Sequence, residues 1–256
     1  MVLKAWQALL LGLVQGLTEF LPVSSSGHLV IAQSLLGVKA EMMSFDVFVH
    51  VGTLVAVFVY FWSDIRELLK RPFCRFTALI LVGCIPAAIM GVLLDDFFEN
   101  LFSSLPAVAC ALIVTGVLLY VSDRFNGKGT IEKMSFGQAL IIGCFQGLAI
   151  TPGLSRSGST IFGALLCGLK REDAARYSFL LSIPVILGAA LLEGVDVMKS
   201  GVHISFSYLL GALVAAVSGY IAIRIFIELL HRRSMRYFSY YVWALAAVVL
   251  IVCLFR

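Results

Sequence analysis

The sequence predicts an all-α integral membrane protein in a single domain, residues 1–256. It reads as an inverted-topology repeat in which each half supplies one re-entrant helical hairpin and three transmembrane helices. Three observations carry this. Of 256 residues, 61% are hydrophobic and 13% are charged, with a mean hydropathy of +1.00, whereas a soluble domain carries about 25% charged residues. The apolar residues fall in runs long enough to cross a bilayer, divided by short charged or Gly/Pro-rich breaks. Residues 8–38 also lie over residues 139–169 without a gap: 11 of 31 positions are identical, among them Gln15/Gln146, Gly16/Gly147, Ser24/Ser155, Ser26/Ser157 and Gly27/Gly158. Chance matches at Leu and Ala come easily in such a chain, but a Q-G and an S-x-S-G in register do not. A fainter echo sets Gly83, Ala87, Ala88 and Gly91 against Gly211, Ala215, Ala216 and Gly219. The chain therefore reads as a duplication, with repeats at 1–125 and 126–256.

Each half opens on an interrupted apolar segment, 6–37 and 138–169. The first is broken by Pro22 through Gly27, the second by Pro152-Gly153 running into Ser155 through Gly158. Such residues cannot continue a lipid-facing helix without stranding backbone groups, so each break is expected to lie buried or to line a wet cavity, at the tip of a hairpin that dips in and returns. Residues 5–21, after Lys4, imitate a signal peptide, but Glu19-Phe20 interrupts the run and no small-residue cleavage site follows, so the segment is read as structure. The predicted spans are 45–62, 77–94 and 106–121 in the first half and 177–192, 206–223 and 241–255 in the second.

Three spans and a hairpin make an odd number of crossings, so the halves should lie upside down to one another. Lys and Arg test this, because they gather in cytoplasmic loops. Segments 64–75, 122–137, 170–176 and 224–236 hold 14 of the 19 basic residues; Lys4, Lys39, Lys199 and Arg256 fall on the other side with the acidic run 95–100, and Arg156 lies in the second hairpin. Both termini are then outside. Hairpin one enters from outside and hairpin two from the cytoplasm, with tips that can meet near the midplane. The net charge of +4 belongs to this topology and calls for no nucleic acid. The six cysteines are scattered without a C-x-x-C pair and read as apolar filler.

An ionisable residue at membrane depth is a functional candidate. Tip one offers Glu19, Ser24, Ser25, Ser26 and His28: a carboxylate, hydroxyls and an imidazole, the parts of a metal site, a nucleophile and a proton carrier. Tip two offers Ser155, Arg156, Ser157, Ser159 and Thr160, a guanidinium among hydroxyls and glycine, which suits phosphate. Together they point to phosphoryl transfer. Plainer readings stand beside this one. The serines can cap the returning helix, Glu19 can cap a helix or pair with a base, His28 can be a satisfied turn residue, and Arg156 can be the structural partner of Glu19. Gln15 and Gln146 can hydrogen-bond between the hairpins. His50, His203 and His231 are left out of the site. The repeats also diverge: Ile150 stands where Glu19 does, Arg156 where Ser25 does and Ser159 where His28 does, so acid and imidazole fall to one tip and the base to the other.

At these residues the sequence closely resembles the undecaprenyl-pyrophosphate phosphatase family of bacterial membranes, the bacitracin-resistance proteins. "QGLTEFLPVSSSGH", residues 15–28, matches the family's (E/Q)-x-x-x-E segment and the serine, glycine and histidine after it; "PGLSRSGST", residues 152–160, matches its P-G-x-S-R-S-x-x-T motif. The resemblance implies hydrolysis of undecaprenyl pyrophosphate to the monophosphate and phosphate, recycling a cell-wall lipid carrier with the help of a divalent cation, Mg²⁺ or Ca²⁺. It also implies a multi-pass protein of the bacterial inner membrane whose partner is a long-chain prenyl pyrophosphate, with room for a homodimer. By position, Glu19 would hold the metal with Gln15 or tune the nucleophile. Ser25 and His28 would be the residues of attack, Arg156 would bind pyrophosphate, and Ser24, Ser26, Ser155, Ser157 and Thr160 would contact phosphate. Two versions of attack stay open: Ser25 with His28 as its base, or His28 directly. Gln15 is a departure, since many members carry glutamate there, and an uncharged ligand would hold a cation more weakly. Because hairpin one carries most of the chemistry, the site is expected to open outward. The competing reading is a secondary transporter or lipid flippase, which shares the broken helices and anion site; an intramembrane serine protease leaves Arg156 unexplained.

Overall fold

A helix needs about 20 apolar residues to cross a hydrocarbon core about 30 Å thick, and neither interrupted segment supplies one. In the computed structural model, which describes residues 3–38, 42–199, 205–232 and 234–255, each folds as two short helices joined by a turn. Hairpin one is α1 (Ala5–Phe20) and α2 (Ser25–Leu35); it is followed by α3 (Met42–Tyr60), α4 (Trp62–Lys70), α5 (Arg75–Leu93), α6 (Asp95–Phe102) and α7 (Leu105–Ser122). Hairpin two is α8 (Phe136–Leu148) and α9 (Arg156–Leu166), followed by α10 (Arg171–Lys199), α11 (Phe206–Arg232) and α12 (Arg236–Leu254). At 1.5 Å per residue, the 16 residues of α1 rise about 24 Å and the 11 of α2 or α9 about 17 Å, too short to cross.

Five helices, α5, α7, α10, α11 and α12, are long and apolar enough to span a membrane, and α3 with α4 makes a sixth candidate bent by 80° at Phe61. Five of the six expected spans are single helices of this length, and the sixth, 45–62, falls on α3 and the bend that follows it. Two loops are instead helical. Most of 64–75 forms α4, which buries Ile65 while Trp62 and Leu69 stay exposed among charged residues, the character of a helix lying along an interface. The acidic run 95–100 forms α6, with Asp95 and Asp96 in the first turn, where negative charge offsets the helix dipole, and Phe98 buried. Both are too short and too amphipathic for a hydropathy reading to find.

The packing pairs each hairpin with the other half. Along α1, Gly12 meets Gly211 and Gly16 meets Ala215 and Ser218 of α11; along α8, Gly143 meets Gly83 and Gly147 meets Ala87 of α5. Residue numbers rise together in both contacts, so each pair runs parallel. A Cβ at Gly12 would stand 2.4 Å from the Gly211 carbonyl oxygen, and one at Gly143 2.3 Å from that of Gly83. Glycine is therefore required for these close approaches. At one end, Ser207 Oγ donates to the Leu3 carbonyl, 3.0 Å, tying the start of α11 to that of α1. At the other end, Asp123 binds Arg171 and Arg236, Asp64 binds Arg176, and Arg75 donates to the Glu132 carbonyl. These contacts gather the four basic segments at one end of the bundle, from which hairpin two rises. Hairpin one comes from the opposite end. Lys39, His203, Arg233 and Arg256 of the sequence reading lie outside the described residues.

Candidate active site

The two turns meet. Hairpin one turns through Leu21 to Ser24, and Ser24 takes φ 68°, a left-handed conformation unusual for a residue with a side chain. Its Oγ caps α2 by accepting the Gly27 N–H at 3.2 Å, and its carbonyl accepts His28 Nδ1–H at 2.8 Å. Hairpin two repeats the cap, with Ser155 Oγ accepting the Gly158 N–H at 3.1 Å. Gly153 takes φ 93° so close to α7 that a Cβ would stand 2.3 Å from the Val108 carbonyl oxygen. Each turn then reaches into the other: Gly153 N–H donates to Ser26 Oγ at 3.4 Å, and Ser157 Oγ donates to the Leu21 carbonyl at 3.2 Å. Phe20, the residue after Glu19, is fully buried and packs edge-on against Phe179 at 5.6 Å.

Glu19, buried near the end of α1, is the electrostatic centre. Arg156 binds its Oε1, while its Oε2 accepts Ser25 Oγ–H at 2.5 Å and Gln15 Nε2–H at 2.8 Å, with His50 Nε2 3.8 Å away. Ser25 and Arg156, equivalent in the repeat, thus meet on the two oxygens of one carboxylate. Both are the first residues of their helices, so two helix N-termini face the same spot and favour negative charge there. His28 does not bond to Ser25: its Nδ1 is committed to the Ser24 carbonyl, which fixes the tautomer, and its Nε2 lies 2.8 Å from the Tyr241 hydroxyl. Ser24, Ser26, Ser155 and Ser157 hold the turns as described. Thr160 Oγ1 donates to the Arg156 carbonyl at 2.8 Å and lies 2.5 Å from Ser178 Oγ.

Gln15 and Gln146 do not bond to each other. Gln15 serves Glu19, and neither amide atom of Gln146 has a partner among the described residues. Three residues that the sequence reading passed over belong to the site. His50 stands beside Glu19. Thr115 of α7 donates to the Gly153 carbonyl at 2.9 Å and accepts the Ser155 N–H at 3.0 Å. Tyr241 of α12 meets His28. Only His50 carried a signal, an imidazole one helical turn after Asp46 in an apolar run.

Among the described residues no three His, Cys, Asp or Glu side chains gather as a metal cluster. One observation nevertheless fits a hard cation: Gln15 Oε1, buried beside the Glu19 carboxylate, has no hydrogen-bond partner. Carbonyl and carboxylate oxygens are the donors Mg²⁺ and Ca²⁺ prefer. Two such groups make a partial seat, one that phosphate oxygens would have to complete.

The family model described as Bacitracin resistance protein BacA matches residues 8–248, spanning both hairpins. The undecaprenyl-diphosphatase of Halothermothrix orenii is 46% identical over 254 residues, 97% of this chain and 98% of that one. That of Carboxydothermus hydrogenoformans is 44% identical over 254 residues, 97% of each chain, and that of Methanosphaera stadtmanae 43% identical over 274 residues, 98% of each. The matched range includes the turns that carry Glu19, Ser25 and Arg156 and the helices that seat them. The chain is a member of the bacitracin resistance protein BacA family.

Proposed function

We propose that this chain is a membrane-integral phosphatase that hydrolyses undecaprenyl pyrophosphate to undecaprenyl phosphate and inorganic phosphate. The observation that carries the reading is the Glu19 carboxylate, with a serine hydroxyl on one oxygen and an arginine on the other where the hairpins meet. Full-length similarity to proteins named undecaprenyl-diphosphatase supplies the substrate. A prenyl tail stays in the bilayer and enters between helices, while its pyrophosphate reaches the polar junction.

Ser25 is the nucleophile in this reading and Glu19 its base. The Ser25 proton already points at Glu19 Oε2, whereas His28 would first have to leave Tyr241. Pyrophosphate draws Arg156 from Glu19, and the carboxylate takes the Ser25 proton in place of the guanidinium as compensating charge. The bond from Oγ to the terminal phosphorus forms, the bridging P–O bond breaks, and undecaprenyl phosphate leaves with the bridging oxygen. Glu19 passes its proton to the departing undecaprenyl phosphate; it then takes a proton from the water that attacks the serine phosphate and returns it to Ser25 Oγ as the serine P–O bond breaks, which releases inorganic phosphate and restores Ser25. Arg156 and the N-termini of α2 and α9 stabilise the charge on the phosphoryl oxygens. A divalent cation, Mg²⁺ or Ca²⁺, seated on Gln15 and Glu19, would supply further charge neutralisation. Ser24, Ser26, Ser155, Ser157 and Thr160 hold the turns in register for phosphate, and His28 orients tip one.

The matched Gly12 and Gly143 contacts support an inverted duplication, and the basic residues at one end support a plasma-membrane protein with that end in the cytoplasm and the site opening outward. The test is phosphate release from undecaprenyl pyrophosphate by purified protein with Mg²⁺, with Ca²⁺ and with chelator, beside Ser25→Ala. Metal-dependent release that Ser25→Ala loses is expected. Substrate binding without release by folded protein would point to a carrier.

A further inference from the structure

Every buried side-chain nitrogen or oxygen without a hydrogen-bond partner among the described residues lies in the two hairpins: Gln15 Oε1, both amide atoms of Gln146, Arg156 Nη1 and Ser159 Oγ. Gln15 and Arg156 already belong to the site. Gln146 and Ser159 have no role in it so far, and each is 1% exposed. They flank turn two, Gln146 in the last turn of α8 and Ser159 in the first turn of α9. Ser159 follows Arg156 by three residues and so shares its face of the helix. The repeat sharpens the contrast. In hairpin one the equivalent positions are employed, Gln15 on Glu19 and His28 on the Ser24 carbonyl and Tyr241. In hairpin two Ile150 replaces the carboxylate, which leaves Gln146 with nothing of its own to hold.

An amide unpaired at both ends is destabilising in an apolar interior, and leucine would fill the same space without that cost. The chemistry of the free atoms defines what would satisfy them. Arg156 Nη1 and Gln146 Nε2 donate, Gln146 Oε1 accepts, and the Ser159 hydroxyl does either. A cation is disfavoured by the guanidinium. Sulfate offers acceptors only. A partly protonated orthophosphate offers both P–O⁻ acceptors and a P–OH donor.

We infer that Gln146 and Ser159, with Arg156 Nη1, form a seat for a protonated phosphate group, which takes the terminal phosphoryl group during transfer and inorganic phosphate before release. The inference rests on the phosphatase reading but is testable apart from it. Orthophosphate should inhibit wild-type hydrolysis and raise the unfolding temperature, and equimolar sulfate should do less of both. Gln146→Leu should weaken phosphate inhibition about tenfold, the scale of a hydrogen bond to a charged group, and abolish the phosphate-dependent thermal rise. Without phosphate it should unfold at or above the wild-type temperature, since it removes an unsatisfied group; a merely structural glutamine would give the opposite. Ser159→Ala should shift inhibition in the same direction by less. Unchanged phosphate inhibition in folded Gln146→Leu, or a lower unfolding temperature without phosphate, overturns the seat. No hydrolysis by wild type, with a phosphate-dependent thermal rise that Gln146→Leu loses, overturns the phosphatase and keeps the seat.

Discussion

Glu19 divides two oxygens among Gln15, Ser25, His50 and Arg156, and this crowding decides what each substitution does. Glu19→Gln keeps the shape but cannot take the Ser25 proton, so kcat for phosphate release should fall by about 10²–10⁴-fold, the worth of a positioned base. It also strands Arg156 as a buried unpaired charge, a loss of about 3–5 kcal/mol. Adding Arg156→Met to Glu19→Gln should recover much of that stability and none of the activity. Thermal unfolding beside turnover reads both, and recovered turnover would remove Glu19 from the chemistry. Arg156→Lys keeps the charge but loses the forked donor, so kcat/KM should drop by about 10²-fold. Glu19, Ser25 and Arg156 stood out in the sequence because charge and hydroxyls are conspicuous in an apolar chain, whereas His50 was set aside because its partner Glu19 lies 31 residues away in the chain. Thr115 and Tyr241 did not stand out, since a lone Thr or Tyr in a spanning helix looks like any other, and only the fold brings them to the turns.

The hairpins keep their seats through close contact between backbones. Gly143→Val would drive a side chain into the Gly83 carbonyl and force α8 from α5, shifting tip two and Arg156 with it. The expected result is a loss of about 1–3 kcal/mol, typical of overpacking, measured by thermal unfolding, with a fall in phosphate release although no catalytic group is altered. Normal turnover would mean that the tips tolerate displacement. Gly12→Val should behave alike at the Gly211 carbonyl. Repetition singled out Gly16/Gly147 and Gly83/Gly211 in the sequence, yet it did not reveal that each hairpin packs on a helix of the other half, because self-similarity shows equivalence and not contact. Hydropathy likewise marked the five long spans and α3 and missed α4 and α6, whose short amphipathic turns average out to loops.

At the scale of the molecule, the ion pairs around Asp123 and Asp64 gather at the end that the proposed topology places in the cytoplasm. In a cysteine-free background, Asn100→Cys should react with a membrane-impermeant maleimide on intact cells and Lys128→Cys only after permeabilisation; the reverse pattern would invert the proposed orientation. The pairing of α1 with α11 has a further consequence, in time. Gly12 leaves the ribosome long before Gly211, and at about 5–20 residues per second the wait is about 10–40 s. Over that interval hairpin one sits in the membrane without its main neighbour, and Glu19 is without Arg156 until the second hairpin inserts. The nascent chain therefore carries Ser25 and Glu19 before it has the Arg156 guanidinium that would hold the substrate's charge. The first repeat made alone should be a target for membrane quality control, and catalytic competence should arrive only once translation is nearly complete.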